Sequence, residues 1–399
     1  MKMIYFDNAA TSWPKPDAVR DAFHEYLGPA GGNPGRSGHR MSIAAARIVE
    51  QARESIGELL HVENPTRIAF TSNATHALNQ AIYGLFRSGQ LKPGHHVITT
   101  GMEHNSVMRP LRHLESLGVE VTTVDCRTDG SLDVEHVRAA VRPNTRLAVT
   151  THASNVTGTL MPVAEITRFA RERGIISVVD AAQTAGSIPI DVLEMGVDLL
   201  AFTGHKSLLG PTGTGGLYVR EGVELEPLMR GGTGSQSATE TQPEFLPDAY
   251  ESGTPNVAGI AGLGAGVRYL SGIGVEAVRQ HERDLVQRFL EGVSEIAGIT
   301  VYGVNELSER CGIVSFNVES ASPSEVALLL DESFGILSRP GLHCAPAAHR
   351  TLKTFPEGTV RFSFGWFNTP SEIDMALSAV RQIAQWAASG ASPRAKEVG

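Results

Sequence analysis

Lys206 stands in Phe202-Thr203-Gly204-His205-Lys206 and is followed by the glycine-rich stretch Gly210-Pro211-Thr212-Gly213-Thr214-Gly215-Gly216. Upstream, the apolar run Val178-Val179 ends in Asp180-Ala181-Ala182-Gln183. A lysine amine can condense with an aldehyde. An aspartate that closes a strand can keep a heteroaromatic ring nitrogen protonated. Together they are the layout of a pyridoxal phosphate site, in which the protonated ring acts as an electron sink. A lone lysine is ordinarily solvent-facing, but the organised neighbourhood of Lys206 favours the chemical reading.

Further groups could serve the same site. Ser72-Asn73-Ala74-Thr75-His76 links a strand to a helix. The N–H groups of a helix start, with the Thr75 hydroxyl, make an anion site; ordinary capping by Ser72, Asn73 or Thr75 is the alternative. Thr203 and His205 could add donors to the same phosphate. His104, in Glu103-His104-Asn105, follows a strand end and could stack on a ring and assist proton transfer. A single histidine is more often a hydrogen-bonded structural residue. Asn155 and Gln183 are candidate partners for a phenolic oxygen, or turn residues. Residues 251–256, which include Thr254, read as a polar loop.

A second cluster, Ser338-Arg339-Pro340-Gly341-Leu342-His343-Cys344-Ala345-Pro346, sets a thiol beside an imidazole in a loop. A loop thiol can move and react. Cys126 and Cys311 read as small buried hydrophobes, and His76 and His349 as surface or packing residues. Arg361 lies inside the apolar segment Thr359-Val360-Arg361-Phe362-Ser363-Phe364. Burying it unpaired is costly. Its planar fork suits a substrate carboxylate, and a structural salt bridge is the alternative.

These residues need elements that bring them together. From about 43 to 220 the chain alternates helical and strand periods. Strands are expected at 67–71, 96–100, 119–124, 146–151, 175–179, 198–203 and 216–219, with helices at 42–60, 75–86, 104–117 and 163–173. Such alternation implies a mostly parallel sheet covered on both faces, with ligands at the carboxyl ends of the strands. His104, Asp180 and Lys206 all fall just past strand ends. Beyond about 265 the pattern suggests a smaller α+β domain, with helices at 277–296, 323–330 and 371–386 and strands at 311–318 and 360–364. The tail from 389 reads as frayed.

Composition excludes several function classes. The net charge is −9 and no basic run could follow a phosphate backbone, so nucleic acid is not an expected partner. No apolar stretch is long enough to span a bilayer, and the N-terminal residues show no signal-peptide core, which points to the cytoplasm. Three cysteines, an odd and sparse set, argue against a disulfide framework.

Together the motifs resemble the class V aminotransferase-fold enzymes dependent on pyridoxal phosphate, and within them the cysteine desulfurases and selenocysteine lyases. The resemblance runs from Tyr5-Phe6-Asp7-Asn8-Ala9-Ala10 to Phe367-Asn368-Thr369. The short Arg339-to-Cys344 segment is similar to that of group II desulfurases. The resemblance implies an α/β fold of the aspartate aminotransferase type I kind, with a large domain at 17–264. A small domain at 1–16 and 265–399 would carry the Cys344 loop and Arg361. It implies Lys206 as the Schiff-base lysine, Asp180 as the ring-nitrogen partner, Gln183 on the phenolic oxygen and His104 on the ring. Ala74, Thr75, Thr203 and His205 would bind phosphate, and Thr254 would reach the phosphate site of a second subunit in a homodimer. Asn155 and Arg361 would hold the substrate carboxylate, with Asn8 and Arg339 near the substrate. Cys344 aligns with the persulfide-forming cysteine.

The implied reaction converts L-cysteine to L-alanine and passes the sulfur to an acceptor protein; no metal is implied. Alternatives are selenocysteine release, another class V lyase or aminotransferase reaction on cystine or a cysteine conjugate, and a non-catalytic scaffold. Two departures stand out: Asn73-Ala74-Thr75 replaces a Gly-Thr-Thr-type phosphate turn, and Leu342 replaces the first of two histidines before the cysteine.

Overall fold

A computed structural model describes residues 3–389 apart from 29, 36–37 and 237. The expected frayed tail, from 390 onward, lies outside the described residues. The N-terminal strand is β1 (Ile4–Tyr5). Seven strands then form the large sheet: β2 (Ile68–Thr71), β3 (His96–Thr100), β4 (Glu120–Val124), β5 (Thr145–Thr151), β6 (Ile176–Asp180), β7 (Leu199–Thr203) and β8 (Gly215–Val219). Their order is β2-β8-β7-β6-β5-β3-β4. Neighbours are parallel except where β8 runs against both β2 and β7. Two reversals leave β2 pointing the same way as β7, so the end of β2 reaches the same edge as the ends of β3, β5, β6 and β7.

The central strands are apolar on both faces because both faces are covered. Successive residues point to opposite sides. Val178, Leu199, Ala201, Leu217 and Val219 enter one core with the helix Ala74–Arg87. Val179, Leu200, Phe202 and Tyr218 enter the other with the helix Arg40–Leu59. The expected strands and helices of this region are all present, with ends shifted by no more than two residues.

The helix Val257–Ile273 has no counterpart among the expected elements. It is apolar nearly all round and rich in glycine, so it offers no polar face for a 3.6-residue period to reveal. It packs along the helices Asp17–Leu27 and Arg40–Leu59. A Cβ at Gly264 would come within 2.8 Å of the Ala52 Cβ, and one at Gly266 within 2.6 Å of the Leu208 carbonyl. The glycines therefore permit close approach at a cost in helix propensity. This helix crosses residue 264 and gives Leu263, Val267 and Leu270 to the first core, which also takes Val278. Leu285 belongs to the second core, together with Ile4 and Phe6, while Ala345, Ala348 and Leu352 return to the first.

The second core lies under an antiparallel sheet of β9 (Ile299–Tyr302), β10 (Ile313–Val318), β12 (Arg339–Gly341) and β13 (Thr359–Ser363), ordered β12-β13-β10-β9; the short β11 (Ile336–Leu337) pairs instead with β1. Phe6, Phe289, Phe316, Phe362 and Phe364 pack ring against ring at centroid separations of 5.0–6.0 Å. Phe6 ties the N-terminal segment into this domain. Its carbonyl accepts from the Ser363 N–H at 2.8 Å.

One buried ion pair anchors the loop 251–256. Arg53, 1% exposed, donates to Glu251 Oε1 at 2.6 Å and Oε2 at 3.1 Å, and the Phe70 N–H donates to the same carboxylate at 2.6 Å. Glu251→Ala leaves a buried guanidinium without its main counter-ion. The expected loss is about 3–5 kcal/mol of unfolding free energy, read as a lower urea midpoint at an unchanged slope. A loss under about 1 kcal/mol would show that water or Glu50 replaces the partner.

Candidate active site

The shared strand edge opens into a cavity of about 240 Å³. Its walls include Ala74, Thr75, His104, Asn155, Asp180, Gln183, Thr203, His205, Lys206, Arg339, Cys344 and Arg361. Twelve of the fourteen sequence-expected residues thus meet in one place. Asn8 and Thr254 do not. The Asn8 amide is committed to structure, donating to the Ser363 carbonyl at 2.9 Å and Asn368 Oδ1 at 3.0 Å, while its oxygen accepts from the Trp13 N–H. Its neighbours Ala9 and Ala10 line the cavity in its place. Thr254 is exposed and borders a separate groove with Arg53, Glu251 and Gly234.

Asp180 ends β6 and Lys206 lies three residues past β7, the adjacent strand. Asp180 is buried, and its Oδ1 accepts from the Ala182 N–H at 2.9 Å. Burial pushes its carboxyl up from the ordinary range, while the amine of Lys206 acts against that. Burial lowers the Lys206 amine to about 8, with Asp180 opposing and Arg361 and Arg339 adding to the drop. A substantial neutral fraction near pH 8 is what condensation with a carbonyl requires.

The turn after β2 is capped by Asn73, whose side-chain oxygen accepts from the His76 N–H at 2.9 Å. The cap does not exclude an anion, because the N–H groups of the first helical residues, Ala74 and Thr75, have no intrahelical acceptors. A Cβ at Gly215 would come within 2.9 Å of the Asn73 backbone, so glycine there lets β8 press against this turn. His205, which lines the same cavity, has its Nδ1 buried without a hydrogen-bond partner. An unsatisfied buried nitrogen and free helix N–H groups around one cavity fit a phosphate. The lost hydroxyl at Ala74 removes one donor from this set and leaves the backbone donors in place.

His104 caps the helix Asn105–Ser116. Its Nδ1 accepts from the Ser106 N–H at 3.1 Å and lies 2.6 Å from Ser106 Oγ, which in turn is 3.0 Å from Thr75 Oγ1. A ring that accepts at Nδ1 and is neutral carries its proton on Nε2. It is neutral because burial, then Lys206, lowers it to about 4. Ser106, which joins His104 to the turn after β2, was not among the expected residues. Only the spacing His-x-Ser at a helix start could have suggested it.

Arg339 and Arg361 are direct cross-strand partners in the β12–β13 register. Like charges so placed repel. Asp7 answers one of them, at 2.8 Å from Arg361 Nη2, and Arg361 Nη1 donates to the Asn155 carbonyl at 2.9 Å. The structural salt bridge raised as an alternative is therefore present. Arg361 Nε remains buried and unpartnered, and both guanidiniums line the cavity. Gln183 lines it too, with its Nε2 3.3 Å from the Ala9 carbonyl. Asn155 turns its amide toward the Cys344 loop, donating to the His343 carbonyl at 2.7 Å. Cys344 is exposed at the rim, with Sγ 4.0 Å from Arg339 Nη2, whereas Cys311 is buried and Cys126 partly so.

Residues 4–376 match the family model described as Aminotransferase class-V. The chain belongs to that family. It is 37% identical over 386 residues to a probable cysteine desulfurase of Methanothermobacter thermautotrophicus, covering 96% of this chain and 94% of the relative. A cysteine desulfurase of Haloferax volcanii is 33% identical, with coverage of 95% and 88%. Among solved structures, the apo cysteine desulfurase of Thermococcus onnurineus superposes with a TM-score of 0.90 at 35% identity over 96% of this chain and 95% of that one. The cysteine desulfurase CsdA of Escherichia coli, solved as an S-sulfonic acid, gives 0.86 at 28%, covering 98% and 96%. The class V fold and the family resemblance read from the motifs therefore hold.

Glu103, beside His104, is a group that motif reading passed over. It is fully buried, accepting at Oε1 from Thr100 Oγ1 at 2.7 Å and the Thr151 N–H at 3.0 Å, with Oε2 unpartnered. Burial pushes its carboxyl up to about 8, and the nearby Asp180 adds to the rise. The folded chain thus holds this proton more tightly than the unfolded chain, which releases it near 4.5. The associated stability is complete below about pH 4.5 and is lost as pH rises toward 8. Gln cannot ionise, so Glu103→Gln should gain stability relative to the parent between pH 5 and pH 8. Denaturant midpoints of cofactor-free protein at the two pH values test this. A parent-to-variant difference that does not change with pH would show that Glu103 is not held protonated.

Proposed function

We propose that the protein is a pyridoxal phosphate-dependent cysteine desulfurase, which takes the sulfur of L-cysteine onto Cys344 as a persulfide and releases L-alanine. The observation that carries this reading is the meeting of three kinds of group in one cavity. They are the Lys206–Asp180 pair, the cross-strand arginines Arg339 and Arg361, and the exposed Cys344 thiol. The names of the relatives and structural neighbours support it.

The donor set fits the cofactor. Lys206 would hold it covalently, Asp180 would face its ring nitrogen and His104 its ring. Ala74, Thr75, Thr203 and His205 would hold its phosphate, with Gln183 on its phenolic oxygen. Pyridoxal phosphate supplies an electron sink that weakens the Cα–H bond of a bound amino acid. The chain does the rest. Arg361 Nε and Arg339 provide the unmatched positive charge for the substrate carboxylate. Lys206, displaced as a neutral amine, takes the Cα proton. Cys344 Sγ then attacks the substrate sulfur. The new S–S bond forms as the Cβ–S bond breaks, and the electron pair left on carbon is protonated to give alanine. An acceptor thiol on another protein collects the sulfur, in keeping with a supply to iron–sulfur cluster assembly.

We further propose a homodimer in which the exposed Thr254 completes the partner's phosphate site, since it stands outside its own cavity. The three free cysteines suit a reducing compartment such as the cytoplasm. Among the described residues no helix is long and apolar enough to cross a membrane.

Purified holoenzyme with L-cysteine and a reductant should give equal alanine and sulfide. Cys344→Ala should retain cofactor absorbance and lose sulfide formation by at least about 100-fold. Pyruvate in place of alanine, or sulfide release by Cys344→Ala at the parent rate, would overturn the assignment. Capture of added pyridoxal phosphate by the cofactor-free protein should accelerate with rising pH and level off above about pH 8, where Lys206 is neutral. Lys206→Ala should show no borohydride-fixable cofactor by mass at any pH.

A further inference from the structure

Cys344 sits in a backbone conformation that its sequence does not favour. His343 has φ 50° and Cys344 φ 57°, two consecutive left-handed residues that are not glycine. Such residues are disfavoured and persist only where the surroundings over-determine them. The surroundings here are specific. The His343 carbonyl accepts from Asn155 Nδ2 at 2.7 Å, and the Cys344 carbonyl accepts from the Asn105 N–H at 2.9 Å. The remaining restraint runs through side chains. His343 Nε2 lies 3.0 Å from the Arg339 carbonyl, His343 Nδ1 lies 3.2 Å from His349 Nε2, and His349 Nδ1 lies 2.7 Å from Thr354 Oγ1.

The proton pattern of this chain is determined. A carbonyl only accepts, so His343 carries its proton on Nε2 and accepts at Nδ1. His349 must then donate from Nε2 and accept at Nδ1 from the Thr354 hydroxyl. Both rings are neutral, since burial lowers His343 to about 2 and His349 to about 4. His343 lines the active cavity, whereas His349 is wholly buried and is not among the residues that line it.

We propose that His349 is a positioning residue for sulfur transfer: through His343 it holds the loop between Arg339 and Cys344 in its left-handed form, and so sets where Cys344 Sγ stands relative to the Arg339 guanidinium. This rests on the desulfurase reading for its chemical consequence. The loop restraint itself does not. Asp180 ends β6 and Lys206 follows β7, both apart from this loop, so proton removal at Cα should be insensitive to the chain.

His349→Phe keeps the volume and removes both hydrogen bonds, whereas His349→Gln keeps an N–H that can reach His343 Nδ1. Three rates decide the matter on holoenzyme. They are alanine formation from L-cysteine, exchange of the Cα proton of L-alanine in deuterated water, and alkylation of Cys344 by iodoacetamide followed by mass. His349→Phe should slow alanine formation by roughly 10- to 100-fold, the scale of a misplaced reacting group. It should leave Cα exchange within about twofold and slow Cys344 alkylation at least about threefold as Sγ leaves the guanidinium. His349→Gln should recover most of both losses. Equal falls in alanine formation and Cα exchange, or no change in alkylation, would overturn the proposal. If His349→Phe does not fold, Thr354→Val, which deletes the terminal donor, is read by the same criteria. If the parent enzyme itself forms no alanine from cysteine, the desulfurase reading fails. The loop restraint is then decided by the alkylation rates alone.

Discussion

A carboxylate and an amine of opposite charge, enclosed at the ends of adjacent strands, are the constraint on which the rest depends. Asp180 closes β6, and Lys206 follows β7 after Gly204 and His205. Burial works against the charged form of each, raising one and lowering the other. Neither is stable there as an isolated ion, and their proximity offsets part of that cost. The sheet must therefore keep β6 beside β7, and the turn after β7 must be tight. A Cβ at Gly204 would come within 2.1 Å of Thr214 Oγ1, so no larger residue fits at the first position after the strand. The apolar cores on both faces supply the stability that this arrangement consumes.

Much of this was legible because two signals coincide. The strands of the large sheet are buried on both faces and read as apolar runs, and the reactive residues sit where those runs stop. Position in the sheet then follows from the general tendency of ligands to bind at strand carboxyl ends. The Asn73 turn, His104, Asp180 and Lys206 lie on four separate strand ends, and the family resemblance assigned them to one site. What escaped reading has physical reasons. The helix Val257–Ile273 lacks a polar face, so periodicity could not mark it. Ser106, Glu103 and Asp7 act through hydrogen bonds to partners that only tertiary structure brings near. Asn8, expected near the substrate, does not itself line the cavity: its amide donates to the Ser363 carbonyl and Asn368, and its neighbours Ala9 and Ala10 line it. His349 looked like a packing residue because the sequence gives no sign of the six-residue reach back to His343.

The N-terminal segment explains how the second domain is made to share the site. Phe6 belongs to the small-domain core and Asp7 pairs with Arg361, while Thr11 and Ser12 donate to the carbonyls of His205 and Lys206. One short stretch of chain thus touches the arginine and the lysine at once. Its carboxylate reduces the repulsion between Arg339 and Arg361 without abolishing it. In the proposed reading, a substrate carboxylate would meet the remaining positive charge with its direction already fixed by Asp7.

The two reactive nucleophiles are mounted in opposite ways, and the difference matches their tasks. Lys206 follows an interior strand of the large sheet, which suits the proposed transfer of a proton from an atom held in one place. Cys344 is exposed where it lines the cavity, which in the proposed reading would let its sulfur meet substrate on one side and an acceptor protein on the other. A rim loop would ordinarily sample many conformations, and a freely mobile thiol would seldom be aligned for displacement at sulfur. Hydrogen bonds from Asn105, Asn155 and His349 hold the residues around Cys344 while the thiol itself remains exposed. Precision is thereby placed in the buried side of the loop and access in its exposed side. The histidine pair belongs to the first of these, which is why both rings are buried and neutral although one stands next to the reacting residue.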